Sequence, residues 1–255
     1  MQKGKIFLFL LVGGIVLSRP ASADRRSFVW TYEWITTKAG EAEYEHYLTL
    51  STPDSGKFRG KTTAEHQMEL EVGMTDRFDV AIYQIFQQKP DESLKYDGFK
   101  FRWRYRIGEK YQYFLDPVLY LEYKGVQDFS EHGVEFRLVL ARDHKKWIYA
   151  INPTWEWERK KGKKESRLEY FAGISYKLHP LLRIGLEAKG DERGNYLGPV
   201  ISHGTNHLWV TFGSAFSVGN VDPGRPEVQF RMLLGVELSK KEENAEKMPR
   251  YEIKY

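Results

Sequence analysis

Residues 99–107 read FKFRWRYRI, and this stretch decides the fold class. Apolar side chains, four of them aromatic, fall at every second position, and lysine or arginine stands between them. Because successive side chains of a β-strand point to opposite faces, the stretch predicts a strand with one apolar and one cationic face. Such a strand suits a wall with lipid on one side and water on the other.

The same period of two recurs from residue 41 to residue 238, in about twelve segments. Clear examples are residues 65–74, 134–140 and 228–238, whereas no long stretch has the helical period. The pattern therefore predicts an all-β chain, a transmembrane antiparallel β-barrel of about 12 strands. A soluble β-sandwich is the alternative, and the aromatic faces argue against it.

The connections between the predicted strands fall into two classes. Those after even-numbered strands are short, as at residues 75–77 and 108–112, whereas those after odd-numbered strands are longer, as at residues 51–62, 159–166 and 190–195. Short periplasmic turns that alternate with longer outer loops are typical of outer-membrane barrels. An even strand number also places both ends of the barrel in the periplasm.

The N-terminal residues indicate export. Lys3 and Lys5 precede an apolar run over residues 6–17, and Ala21-Ser22-Ala23 has the small residues of a cleavage site. We predict a secretory signal peptide over residues 1–23, cleaved near Ala23, and localisation in the outer membrane of a Gram-negative bacterium.

The mature chain divides into three predicted parts. Residues 41–238 form the barrel, and residues 239–255 form a charged periplasmic tail. Residues 24–40 form an N-terminal segment in which positions 28–34 alternate again. This segment would be a thirteenth strand, so we expect it either to plug the lumen or to pair at the seam.

Composition excludes several classes of protein. The chain has no cysteine, so an exported disulfide scaffold is excluded. Its 39 basic against 35 acidic residues do not indicate nucleic-acid binding. Aromatic residues reach 15% beside 29% charged residues, and the mean hydropathy is −0.57. A soluble core rarely needs both, but a membrane barrel does.

Two segments carry a resemblance to a known kind of protein. Residues 38–45 read KAGEAEYE and open the first barrel strand, and residues 69–80 read ELEVGMTDRFDV as strand, turn and strand. In this pattern the chain resembles the uncharacterised, porin-like or transporter-like outer-membrane β-barrels of bacteria. The resemblance covers most of the mature chain, implies a barrel, and supplies no catalytic residues.

The polar faces of the strands supply the candidate site, which is the lining of the lumen. The first three strands are acidic and the fourth is a basic ladder, so opposed walls of opposite charge would orient polar or charged solutes. The alternative is that the ladders pair with each other and fill the lumen. The predicted lining residues are Glu43, Glu45, Glu69, Glu71, Lys100, Arg102, Arg104, Arg106, Glu135, Arg137, Glu169, Arg183 and Arg231.

The sequence contains no pattern of an active site. Ser130 and His132 are close in sequence, but a hydrolytic triad needs a third partner, and none is evident. His203 and His207 are separated by turn residues rather than by a helix, so we expect no metal site and no cofactor. Aromatic residues such as Trp103 and Tyr149 are expected to form interfacial girdles rather than sugar-binding surfaces.

These observations predict a monomeric, non-enzymatic barrel surrounded by outer-membrane lipid. Its expected function is that of a porin-like channel for passive passage of small polar or anionic solutes. The alternatives are a closed structural barrel and a membrane-embedded lipid hydrolase.

Overall fold

The computed structural model describes residues 25–205 and 207–238. Alternating sequences become twelve β-strands because each strand can present one apolar and one polar face. The strands are β1 Ala42–Thr52, β2 Thr63–Thr75, β3 Phe78–Gln88, β4 Lys95–Arg106, β5 Asp116–Gly125, β6 His132–His144, β7 Trp147–Lys160, β8 Lys163–His179, β9 Leu182–Asp191, β10 Gly194–Gly204, β11 Leu208–Ser217 and β12 Val228–Glu237.

Each strand pairs antiparallel with its neighbours in sequence, and β12 pairs with β1 to close the barrel. The closing register places Tyr47 opposite Leu233. The predicted fold class, a closed antiparallel barrel of twelve strands, is confirmed. Because β1 and β12 pair directly, residues 28–34 do not form a seam strand.

The connections at the two ends differ from the prediction in three places. We call the end with connections after even-numbered strands the turn end, and the other the loop end. The loops predicted at 159–166 and 190–195 are mostly strand, since β7–β8 and β9–β10 turn through residues 161–162 and 192–193. Lys161 and Gly162 both have positive φ, as a tight hairpin turn requires.

At the turn end, the connection predicted as short at 108–112 extends over residues 107–115. The carboxylate of Asp116 orders it by accepting backbone N–H groups, from Tyr111 at 2.8 Å and from Tyr113 at 3.3 Å. The strict alternation of short turns and long loops is therefore wrong, although the longest connections at the loop end, 53–62 and 218–227, are as expected.

The outer face of the barrel is apolar. Phe101, Trp103, Tyr149 and Trp155 are each between 37% and 43% exposed and point away from the lumen. The aromatic residues of the predicted girdles thus lie on the face that would meet lipid. The part of the chain that the structure describes contains no helix that is both long and apolar enough to cross a membrane.

The predicted signal peptide and the predicted charged tail lie outside the described residues. Residues 25–40, which we call the N-terminal segment, belong to no strand; residues 25–37 lie inside the barrel, and residues 38–40 are exposed.

Candidate functional site

The N-terminal segment enters and leaves the lumen at the turn end. Arg25 donates to the carbonyl of Gly204 at 2.7 Å, at the end of β10. The chain then rises into the lumen, where Phe28, Val29 and Thr31 are completely buried. It returns to the turn end before β1, where the Thr37 N–H donates to Asp79 at 3.0 Å. The segment therefore forms a folded loop across the bore.

Two wall residues satisfy the backbone at the top of this loop. The carboxylate of Glu187 on β9 accepts the N–H groups of Val29 at 3.0 Å, Trp30 at 2.7 Å and Thr31. The amide of Asn152 on β7 accepts from the Tyr32 N–H at 2.6 Å and donates to the Tyr32 carbonyl at 3.1 Å. Buried backbone groups outside a strand need such partners.

Carbonyl groups of the N-terminal segment find donors on other strands. The Arg26 carbonyl accepts the hydroxyls of Ser202 at 2.8 Å and Thr211 at 2.7 Å. The Trp30 carbonyl accepts from Arg137 at 3.1 Å. Within the lumen the segment is thus held by polar side chains on many strands, whereas at its end the Gly40 N–H donates to the Gly73 carbonyl of β2 at 3.0 Å.

Glycines on the inner wall make room for the side chains of the segment. A Cβ atom at Gly173 would lie within 2.8 Å of three ring atoms of Phe28, and one at Gly213 would collide with a methyl group of Val29. Any larger residue at either position would displace the segment or the wall, because packed interiors have no spare space.

Charged residues of β2, β3 and β4 form a dense cluster beside the segment. Arg102 pairs with Glu69 at 2.6 Å and with Glu71, and Arg104 pairs with Asp79 at 2.7 Å and with Glu71. These groups are almost completely buried. The expected opposition of an acidic and a basic wall is wrong, because the oppositely charged strands are adjacent in the sheet and their ladders pair.

The other predicted lining residues form smaller groups. Two of them contact the segment. The Glu45 carboxylate lies 3.7 Å from the Arg26 guanidinium, and the Arg106 guanidinium lies 4.6 Å from the centre of the Trp34 ring. Arg137 and Arg231 also donate to its carbonyls. Arg183 is half-buried on β9. Glu43, Lys100, Glu135 and Glu169 bond to other wall residues, namely Trp209, Glu122, Arg137 and Arg167.

One carboxyl group of the segment is buried away from the main cluster. Glu33 is 7% exposed and accepts the Ser27 N–H at 2.7 Å. Burial raises the pKa of this carboxyl above its ordinary value, although the hydrogen bond from Ser27 and the charge of Arg183 act in the opposite direction.

Above the segment, the lumen widens into a cavity of about 460 Å³ that lies towards the loop end. We call this cavity the vestibule. Its floor includes Trp30, and its walls carry aromatic, amide, hydroxyl and charged side chains, among them Tyr83, Lys100, Lys189 and Arg231. The vestibule is polar enough to hold water and a small solute.

The candidate hydrolytic residues do not form a catalytic arrangement. The Ser130 hydroxyl donates to Asp128 at 2.6 Å, whereas the His132 ring contacts the Phe129 carbonyl at 3.4 Å and packs beside Tyr123 and Trp157. Within the described residues, no group of histidine and acidic side chains could hold a metal ion.

Site prediction from sequence found some of the residues that hold the segment, such as Arg137 and Arg231, but missed several others. Asn152, Ser202 and Thr211 are uncharged, and Gly173 and Gly213 have no side chain, so a search for charge on the polar faces passes over them. The available signal was their position, since all five occupy inward-facing places in alternating strands.

Comparison with known proteins shows the fold. No family model matches the chain, and no curated protein matches it in sequence. Among solved structures, an outer-membrane channel from Pseudomonas putida F1 matches with a TM-score of 0.59 at 9% identity, over 82% of this chain and 100% of that one.

Two porins match similarly. The KdgM porin, in complex with disordered oligogalacturonate, matches with a TM-score of 0.54 at 11% identity, over 78% of this chain and 99% of that one. The NanC porin matches with a TM-score of 0.51 at 8% identity, over 76% of this chain and 97% of that one. The chain thus has the barrel fold of outer-membrane channels, which is the fold that the sequence resemblance implied.

Proposed function

We propose that the protein is a porin-like channel of the outer membrane for passive passage of small polar solutes, closed in this conformation by the N-terminal segment. One observation carries the proposal: the β1–β12 pairing closes the barrel without help from residues 25–40. The segment can therefore leave the bore while the wall stays intact, and a polar passage through the barrel would remain.

The fold of the barrel and its apolar outer face support this function. The solved channels share the fold, and one of them is a porin in complex with an oligosaccharide. The apolar outer face fits outer-membrane lipid, and an exported monomer with its signal peptide removed near Ala23 accords with that location. We propose that this passage is non-enzymatic, and the Ser130 hydroxyl, which donates to Asp128 at 2.6 Å, gives the lipid-hydrolase alternative no support.

A closed structural barrel is the second candidate, and the buried pairs of Arg102 and Arg104 favour it. Such a cluster narrows the bore beside β2, β3 and β4 even when the segment is absent. The two functions differ in one respect: only the channel conducts when the segment is released.

The experiment uses a cysteine pair, which the cysteine-free chain allows without interference. The Cβ of Val29 lies 3.4 Å from the place of a Cβ at Gly213, a separation close to that of disulfides. Single-channel conductance of the V29C/G213C double variant is measured in planar bilayers, with V29C alone as the matched control.

We expect openings of the reduced double variant, none after oxidation, and openings again after dithiothreitol, while V29C alone is insensitive to both. Silence of the reduced variant, of the wild type and of Gly173→Val would overturn the channel, provided that heat-modifiable gel mobility shows each barrel folded. The structural barrel would then be the function that remains.

A further inference from the structure

Most cations that line the vestibule are neutralised by the wall. Lys100 pairs with Glu122 at 3.0 Å, and Arg137 pairs with Glu135 at 2.8 Å. Lys189 on β9 and Arg231 on β12 differ, because no carboxylate oxygen of the described residues lies within 4.0 Å of either. The neighbouring carboxylate on β9, Glu187, is occupied by backbone N–H groups of the N-terminal segment.

Among the residues that the structure describes, Lys189 and Arg231 form hydrogen bonds only to neutral groups. Lys189 donates to the amide oxygen of Gln229. Arg231 donates to the Thr49 hydroxyl at 2.8 Å and, more weakly, to the Val29 carbonyl at 3.4 Å. A charge in a water-filled cavity that has only neutral partners attracts a counter-ion from solution.

Both cations face the same aromatic ring. The Lys189 ammonium lies 4.4 Å from the centre of the Trp30 ring, and the Arg231 guanidinium lies 5.4 Å from it. Both charges therefore lie beside one ring on the vestibule floor, and we expect one anionic group to reach both.

The acidic residues of the vestibule lining reduce the net positive charge of its floor. Glu122 and Glu135 are paired as described, whereas Glu65 accepts from the Gln67 amide and has no cation within 4.0 Å among the described residues. Glu65 lies on β2, and Thr49 of β1 stands between it and Arg231 in the register. Among the described lining residues, Arg231 and a protonated Lys189 outnumber Glu65, the carboxylate without a cationic partner, and this excess makes the floor cationic.

We infer that Lys189 and Arg231 form a binding site for the carboxylate of a small hydroxylated organic anion. The carboxylate would bind between the two cations above Trp30. The aromatic rings and amides of the vestibule, such as Tyr83 and Gln229, would contact the hydroxylated body. This inference rests on the proposed function, since the site would lie on the solute path.

The test is isothermal titration calorimetry of the folded, detergent-solubilised protein with glucuronate, and with glucose as the matched uncharged probe. We expect saturable glucuronate binding that weakens as salt rises, and at least about tenfold weaker binding of glucose, since a charge-assisted contact contributes about 1.5–3 kcal/mol. Equal binding of the two sugars, or binding of neither, would overturn the site without any variant.

Three variants test which charged side chains bind glucuronate. Lys189→Gln and Arg231→Gln are each expected to weaken glucuronate binding about tenfold, and Glu65→Gln is expected to strengthen it. Lys124→Gln is the matched control, because Lys124 lies near the loop end but is paired with Glu158 and Glu156. Equal losses in Lys124→Gln and Lys189→Gln would show non-specific attraction and overturn the assignment.

Binding and conductance separate the two proposals. A silent barrel that binds glucuronate in this manner upholds the site and overturns only the channel. A conducting barrel that does not discriminate glucuronate from glucose upholds the channel and overturns only the site.

Discussion

The ring of Phe28 packs directly on the backbone of Gly173, at a place where a Cβ atom would lie within 2.8 Å of three ring atoms. Gly173 on β8 thus provides the space into which the N-terminal segment packs. We expect Gly173→Val to undock the segment, because overpacking of this kind costs about 1–3 kcal/mol.

The rate of trypsin cleavage measures this undocking. Arg26 is only 6% exposed in the docked segment, so cleavage after it should become rapid in Gly173→Val and stay slow in the wild type. Ala172→Val, one residue away on the lipid-facing side of β8, is the matched control. Equally slow cleavage of the wild type and both variants would show that packing at Gly173 does not hold the segment in place.

Glu187 is expected to be the strongest single attachment of the segment. Its replacement by alanine leaves the N–H groups of Val29, Trp30 and Thr31 without their acceptor, and each buried unsatisfied group costs about 1–3 kcal/mol. Docking should therefore weaken by about 3 kcal/mol or more.

Hydrogen exchange of these three amides measures the loss. They should exchange far faster in Glu187→Ala, whereas the amides of the barrel strands keep their protection. Glu169→Ala removes an inward carboxylate of β8 that pairs with Arg167, and it should leave the three amides protected. Unchanged exchange in Glu187→Ala would contradict the attachment.

Arg102 is expected to stabilise the wall through its buried ion pairs. Arg102→Met leaves Glu69 and Glu71 buried with less positive charge beside them, and breaking a buried pair costs about 3–5 kcal/mol. The urea midpoint of barrel unfolding, followed by heat-modifiable gel mobility, should fall clearly. Lys95→Met breaks only the exposed pair with Glu92 and should change the urea midpoint little. Equal midpoints of the two variants would mean that the cluster adds no stability.

The sequence predicts the wall well because its information is local. The alternation in residues 99–107 reappears as β4, with Phe101 and Trp103 outward and Arg102 and Arg104 inward. Period two is a property of the strand itself, so it needs no knowledge of the neighbours.

The inside of the barrel was less predictable because its contacts are distant in sequence. Trp30 and Glu187 are separated by 157 positions, and nothing near either residue indicates the bond. Likewise, the adjacency of β2, β3 and β4 follows directly from the strand order, but whether Arg102 pairs with Glu69 or faces solvent depends on the bore. The alternation of residues 28–34 gave no indication that the backbone there would bond to side chains of the wall.

The docking of the segment should depend on pH through Glu33. Since burial raises the pKa of this carboxyl, the docked state holds the proton more tightly than the undocked state. Docking is then strongest below the ordinary carboxyl pKa and weakens as pH rises through the raised value. The open fraction in single-channel records should be larger at pH 8 than at pH 4, which lies below the ordinary carboxyl pKa. In Glu33→Gln this difference should shrink, and an equally large difference there would assign the effect to other groups.

The outer face provides the sharpest test of membrane location. Phe101 on β4 is 40% exposed among apolar neighbours, whereas Phe114, 92% exposed, lies in the connection over residues 107–115. An arginine on the lipid-facing surface costs about 2–4 kcal/mol near the bilayer midplane and much less near its edges. Phe101→Arg should therefore lower the yield and urea stability of the barrel refolded into lipid vesicles, and Phe114→Arg should not. In a soluble barrel both arginines would face water, so equal behaviour of the two variants would place β4 outside the membrane.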